Sequence, residues 1–167
     1  MTTIPKPPTA CTTRDDFLLC RGRELQAIYA TGSSEPIPRG TSRGVALMLP
    51  GTPVARPLAW MVRVFGWKGK VFAADGTSLK NLITPFGIPS IRAAVYPGAS
   101  LLDGQPSIIL DYSKTSWIAR FVRDEIREVS PGLYLGYAYV FGIRWIAFGL
   151  QFDSEPPNLP AQGNPDI

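Results

Sequence analysis

Two long aromatic segments near the end of the chain, Leu133 to Phe141 and Ile143 to Phe152, constrain this sequence more than any other stretch. Only Gly142 separates them, so they should pair as a hairpin. In the first segment Leu133, Leu135, Tyr137, Tyr139 and Phe141 alternate with Tyr134, Gly136, Ala138 and Val140, and neither set is polar. A strand that is apolar on both sides must be covered on both sides. A closed barrel does this with its own contents on one side and a helix or partner on the other. The expectation is a mainly β fold: an antiparallel barrel of about eight strands, or a strongly curved sheet, with two or three short helices.

The rest of the chain supplies the other elements. Thr13 followed by Asp15 and Asp16 marks a helix start, with acids at the positive end of the dipole. Phe17, Leu18, Leu25, Ile28 and Tyr29 line one side of that helix, which should end near Gly32 and can be split by Gly22. Val45–Leu49 reads as a buried strand closed by Pro50-Gly51. Pro57 opens a second helix, in which Leu58, Met61, Val62 and Phe65 form one stripe and Gly66 the stop, suited to closing one end of a barrel. The period then switches to two. Trp67–Ala73 and Thr77–Ile83 flank an Asp75-Gly76 turn. Ile91–Tyr96 precedes turns at Pro97-Gly98 and Asp103-Gly104, and Ser107–Ser113 follows. Thr115 or Ser116 should cap a short helix carrying Trp117, Ile118, Phe121 and Val122. Residues 1–12 are expected to be disordered, residues 13–153 to form a single barrel domain, and residues 154–167 to form a Pro-rich tail.

Composition narrows the function. The net charge of +4 comes from scattered Lys and Arg, with no basic block interleaved with exposed aromatics, which argues against nucleic acid as a partner. No apolar run reaches the ~18–20 residues of a membrane span, so stable membrane insertion is not expected. Cys11 and Cys20 are the only cysteines. Their spacing forms no zinc site, and with no apolar leader in MTTIPKPPTA they read as thiols of a cytoplasmic protein. A disulfide stays open if the segment between them is not one continuous helix. The chain has no histidine. This removes His-based triads, histidine-ligated haem, facial-triad iron and most catalytic zinc sites, so neither a metal nor a cofactor is expected.

Chemistry must then use Asp, Glu, Tyr, Lys, Arg, Ser or Cys. Ile108, Leu110 and Tyr112 share a face, which points Tyr112 into the core, with Asp111 opposite and able to cap the following turn. As catalysts, Tyr112 would donate a proton and Asp111 would act as a base; a core tyrosine and a turn aspartate is the plainer reading. The run Arg123-Asp124-Glu125-Ile126-Arg127-Glu128 reads either as a solvated rim or as an internal ion-pair network that includes Arg123 and Glu125, the rim being the plainer. Lys68 and Lys70 share a face with Phe72 and could anchor an anionic headgroup, though ordinary surface lysines are the plainer reading. Trp67, Trp117, Trp145 and Tyr137 could wall a ligand site.

Glu125-Ile126-Arg127-Glu128-Val129-Ser130-Pro131-Gly132-Leu133-Tyr134-Leu135 resembles the end of lipocalin-like (calycin) barrels, in particular the plastid-lipid-associated, or fibrillin, type. Gly66-Trp67-Lys68-Gly69-Lys70 is similar to the Gly-Trp strand of small lipid-binding barrels, although Phe65 stands where the lipocalin Gly-x-Trp pattern has its first glycine. The likeness covers roughly residues 65–152 by pattern, and implies a hydrophobic-ligand barrel and no catalytic residue.

The leading expectation is binding of a small hydrophobic or amphipathic molecule in a barrel interior, in a cavity above ~300 Å³. The ligand-contact residues would be Trp67, Tyr112, Trp117, Tyr137, Tyr139 and Trp145. The alternative is a cofactor-independent cyclase, isomerase or dehydratase acting on a hydrophobic intermediate through Tyr112, Asp111, Glu125 and Arg123. A homodimer burying the outer aromatic face is a third reading. Because small residues let a helix approach a sheet, Gly136 and Ala138 should lie outside under a helix, leaving Tyr137 and Tyr139 inside.

Overall fold

A computed structural model describes residues 11–47, 67–83, 91–115, 117 and 119–153. It shows a closed antiparallel barrel of eight strands. A 3-10 helix, Arg14–Leu19, and helix α1, Gly22–Ala30, precede strands β1 (Gly40–Leu47), β2 (Trp67–Phe72), β3 (Ser78–Ile83) and β4 (Arg92–Ala99). Strands β5 (Pro106–Asp111), β6 (Val122–Ser130), β7 (Leu133–Val140) and β8 (Ile143–Phe152) complete the ring. Each strand pairs with its sequence neighbour, and β1 closes on β8 from Ser42–Phe152 to Leu47–Ala147. The expected Pro57 helix lies outside the described residues, as do the C-terminal tail and most of the N-terminal segment.

The two pieces at the N-terminus follow the break expected at Gly22. Thr13 and Asp16 form a capping box at the 3-10 helix, and Glu24 accepts from the Arg21 amide at α1. The chain is extended at Cys20 and Arg21 between the two helices. That break brings Cys11 and Cys20 together, with their sulfurs 3.9 Å apart as thiols. Burial, then the neighbouring Cys20, pushes the Cys11 thiol up to about 12.

Four expected elements differ. β1 begins at Gly40, five residues before the expected start at Val45. β4 runs through Pro97 and Gly98, where a turn is predicted, and Pro97 sits opposite Ile108. A mid-strand proline is tolerated there because β4 pairs with β3 only through Arg92–Ala94, so no partner is left without its N–H bond. The helix expected after Thr115 is absent among the described residues, which form turns up to Phe121. The bulge between Trp67 and Gly69 also breaks the alternation of β2. Gly69 takes a φ of +145°, and a Cβ there would lie 2.1 Å from the Ser42 carbonyl. Lys68 is therefore exposed, while Lys70 and Phe72 are buried.

The orientation of β7 is the reverse of the one expected. Tyr134, Gly136 and Ala138 face the barrel interior together with Phe72, Leu110, Ile126 and Phe148. Leu133, Leu135, Tyr137 and Tyr139 face outward and pack with Phe17 of the 3-10 helix and Leu25, Ile28 and Tyr29 of α1. Crowding inside the ring sets the choice: a Cβ on Gly136 would stand 2.5 Å from Phe148 Cζ and 2.7 Å from Ile126 Cγ2. The small residue that admits a helix from outside is Gly149, whose Cβ would meet Phe17 Cδ2 at 2.7 Å. Burying Phe17 in this notch contributes on the order of 2–3 kcal/mol.

Candidate functional site

The end of the ring where β1, β3, β5 and β7 finish holds a cavity of about 220 Å³ that is open at its mouth. Its apolar wall includes Trp67, Ile91, Val122, Ala138, Ile146 and Phe148. This volume falls short of the expected one because inward aromatic rings fill much of the interior. Trp67 meets Phe148 edge-on at 5.9 Å, and Phe152 touches both Phe72 and Tyr134. A larger groove of about 910 Å³ lies at the opposite end, between residues 34–39 and the strand ends, with Glu35, Arg39, Asp75 and Asp153 on its walls. Charged side chains of both signs line that groove, whereas the interior cavity is mainly apolar with one polar cluster, so the interior is the better binding site despite its smaller size.

Four polar side chains from four parts of the sheet complete the cavity wall: Lys70 from β2, Asn81 from β3, Tyr112 just after β5 and Asp124 from β6. The Lys70 ammonium donates to Asn81 Oδ1 at 2.9 Å, to the Tyr112 hydroxyl at 2.7 Å and to Asp124 Oδ2 at 2.8 Å. Tyr112 donates in turn to Asp124 Oδ2 at 3.0 Å and accepts from Asn81 Nδ2 at 3.1 Å. Three rings surround the ammonium, those of Trp67, Tyr112 and Phe148, at 5.7, 5.4 and 5.3 Å from their centres. Burial alone would discharge Lys70, but Asp124 and Tyr112 outweigh it and hold its pKa above the ordinary lysine value. Burial pushes the Tyr112 phenol up to about 12, with Asp124 adding to the rise and Lys70 opposing it.

The sequence-predicted residues divide between the two sides of the sheet. Trp67 and Tyr112 line the cavity. Asp111 points outward, accepts from the Ser113 amide at 2.8 Å as a turn cap, and accepts from the Tyr96 hydroxyl at 3.0 Å. Glu125 is fully buried on the outer face, where Ser100 Oγ, the Leu101 amide and Tyr139 donate to it at 2.6, 2.9 and 3.0 Å. Arg123 lies on that outer face too, donating to the Ala99 carbonyl. Of the four candidate catalysts, the structure brings only Tyr112 to the cavity.

The charged run is thus neither a solvated rim nor a single network. It is read alternately, with Asp124 and Ile126 inward and Glu125 and Arg127 outward. Of the remaining aromatics, Trp117 is 85% exposed on a turn, and Trp145 is half-buried at the register shift in β8. Tyr137 and Tyr139 lie under α1, so no hydroxyl from this pair reaches the interior. Lys70, weighed as a headgroup anchor beside Lys68, and Asp124, weighed only within the charged run, stand in the wall together with Asn81, which the sequence did not single out. The available signal was Asp124 sharing a strand face with Ile126.

Tyr137 itself is a test of this orientation. Its ring meets Tyr29 edge-on at 5.0 Å, and its buried hydroxyl has no hydrogen-bond partner among the described residues. Burial pushes this phenol up to about 12, with Arg144 working in the other direction. Tyr137→Phe should leave stability unchanged or raise it by up to about 1 kcal/mol, because it removes an unpaired polar group. Thermal denaturation checks this; a clear loss of stability would mean the hydroxyl has a partner.

No protein-family model matches the chain, and no curated protein matches it. Among solved structures, it is similar to a protein from Thermomonospora curvata, with 21% sequence identity and a TM-score of 0.59. The match covers 80% of this chain and 88% of the other. At this identity the likeness shows the barrel fold and nothing finer. Among the described residues no helix is long and apolar enough to cross a membrane, which leaves open what the strands could do.

Proposed function

We propose that the barrel binds a small, mainly apolar molecule in its interior. One observation carries this reading: the cavity is walled by apolar side chains and has a single polar cluster, Lys70, Asn81, Tyr112 and Asp124. Specific small-molecule sites share this composition, apolar surface for affinity and a few placed polar groups for orientation. An apolar molecule held within a closed barrel is also the mode that the lipocalin-like sequence resemblance suggests. A cavity of about 220 Å³ favours a small occupant. Native mass spectrometry of freshly purified protein should show a retained small molecule. A protein that is always empty, with Trp67 signals unmoved by a panel of small apolar probes, would overturn the proposal.

A second reading, cofactor-independent isomerisation or cyclisation of such a molecule, is favoured by one detail. Asp124 spends a single oxygen, Oδ2, on both Lys70 and Tyr112. Its other oxygen is left free to take a proton from a substrate and return it at a second position, with Lys70 and Tyr112 holding the carboxylate in place. With a substrate in hand, Asp124→Asn should abolish turnover even at saturating substrate; retained turnover would reject this second role.

A further inference from the structure

A lysine in the wall of an apolar cavity would, by charge alone, select a carboxylate or another anion. The bonding within the cluster argues the opposite. An ammonium has three N–H groups. Lys70 commits all three, to Asn81, Tyr112 and Asp124, so none is left for a ligand. Its charge is matched by Asp124 at 2.8 Å, and both side chains are almost wholly shielded from solvent. The one hydrogen of Tyr112 is committed to Asp124 as well.

What the cluster leaves over is small and specific. Asp124 Oδ1 accepts no hydrogen bond among the described residues, and Asn81 Nδ2 has one hydrogen beyond the one donated to Tyr112. The Asn81 orientation is fixed by chemistry, since only its oxygen can accept from an ammonium. The residual site is therefore one acceptor and one donor with no net charge. An incoming carboxylate would lose its water, find no free cation and face the Asp124 carboxylate in surroundings of low dielectric. A hydroxyl could donate to Asp124 and accept from Asn81.

Resting on the reading of the interior as a ligand site, we propose that the cavity selects neutral molecules that end in a hydroxyl-type group and refuses carboxylates of the same length. The test compares 1-hexanol with hexanoate at neutral pH, followed by NMR at the Trp67 indole and by titration calorimetry. Hexanol should bind at least about tenfold more tightly, the size expected for an unpaired charge in a poorly solvated site. Asp124→Asn keeps the size and an acceptor for Lys70 but leaves the ammonium charge uncompensated. In that variant hexanoate should bind as well as hexanol or better.

Equal or tighter binding of hexanoate by the unmodified protein would overturn the selectivity and leave the ligand-site reading standing. Binding of neither probe would overturn both. A preference for hexanol that persists in Asp124→Asn would refute the assignment of charge balance to Asp124. The comparison on the unmodified protein decides the proposal by itself if the variant fails to fold.

Discussion

Asp124→Ala should destabilise the protein by about 3–5 kcal/mol, because it strands a buried ammonium. Lys70 is 3% exposed and has no other carboxylate among its bonding partners. The double variant Lys70→Met, Asp124→Leu should recover most of that loss, since removing both charges together takes away the desolvation cost along with the attraction. Urea denaturation of the two variants at neutral pH makes the comparison. A loss below about 1 kcal/mol in Asp124→Ala would place the pair in the solvated class and contradict its burial. The pH dependence has a definite sign. The Lys70 pKa is raised in the folded protein, so the stabilisation linked to its protonation is complete below the ordinary lysine value. It is lost only as pH rises through the raised one.

Arg127→Ala should cost about 2–3 kcal/mol, through a different loss, that of several hydrogen bonds to one buried guanidinium. Arg127 is 1% exposed and donates to both oxygens of Asp103, at 2.8 and 2.7 Å. It also donates to the carbonyls of Pro106, Gln105 and Tyr29, at 2.9, 3.2 and 3.2 Å. The last of these lies in the final turn of α1, where carbonyls lack partners within the helix. One side chain thereby ties the helix to the turn between β4 and β5, with its guanidinium 4.3 Å from the Tyr29 ring centre. Hydrogen exchange in α1 and around Asp103 should accelerate together in the variant. If only the turn loosens, the contact to Tyr29 carries no weight.

Features set by neighbouring residues were legible in the sequence. Asp75-Gly76 marked a hairpin, Gly22 marked the split between two helices, and the alternation through Tyr112 placed its ring inside. The doubly apolar β7 correctly implied a layer on each side. It could not say which layer took which residues, because Tyr137 and Ala138 are both acceptable in either. That choice depends on Phe148 crowding Gly136 from within and on Tyr29, more than a hundred positions earlier, waiting outside. The same limit hid the polar cluster. Lys70 and Asp124 are 54 residues apart, and a local reading sees two surface charges. The bulge at Gly69 added a second obstacle by separating Lys68 from Lys70, which strict alternation would have kept together.

The pairing of β1 with β8 has a consequence for how the ring can come together. Strands β2 to β8 join in sequence order by local pairings, each with the strand before it. The final seam joins residues 42–47 to residues 147–152, about the longest separation the described chain offers. Contacts of such high sequence separation carry the largest loop-closure cost and come with slow folding. Any partly assembled ring also has two bare strand edges, and both vanish in the one closing event. Closure is therefore the step at which the chain loses its last template for pairing with other chains.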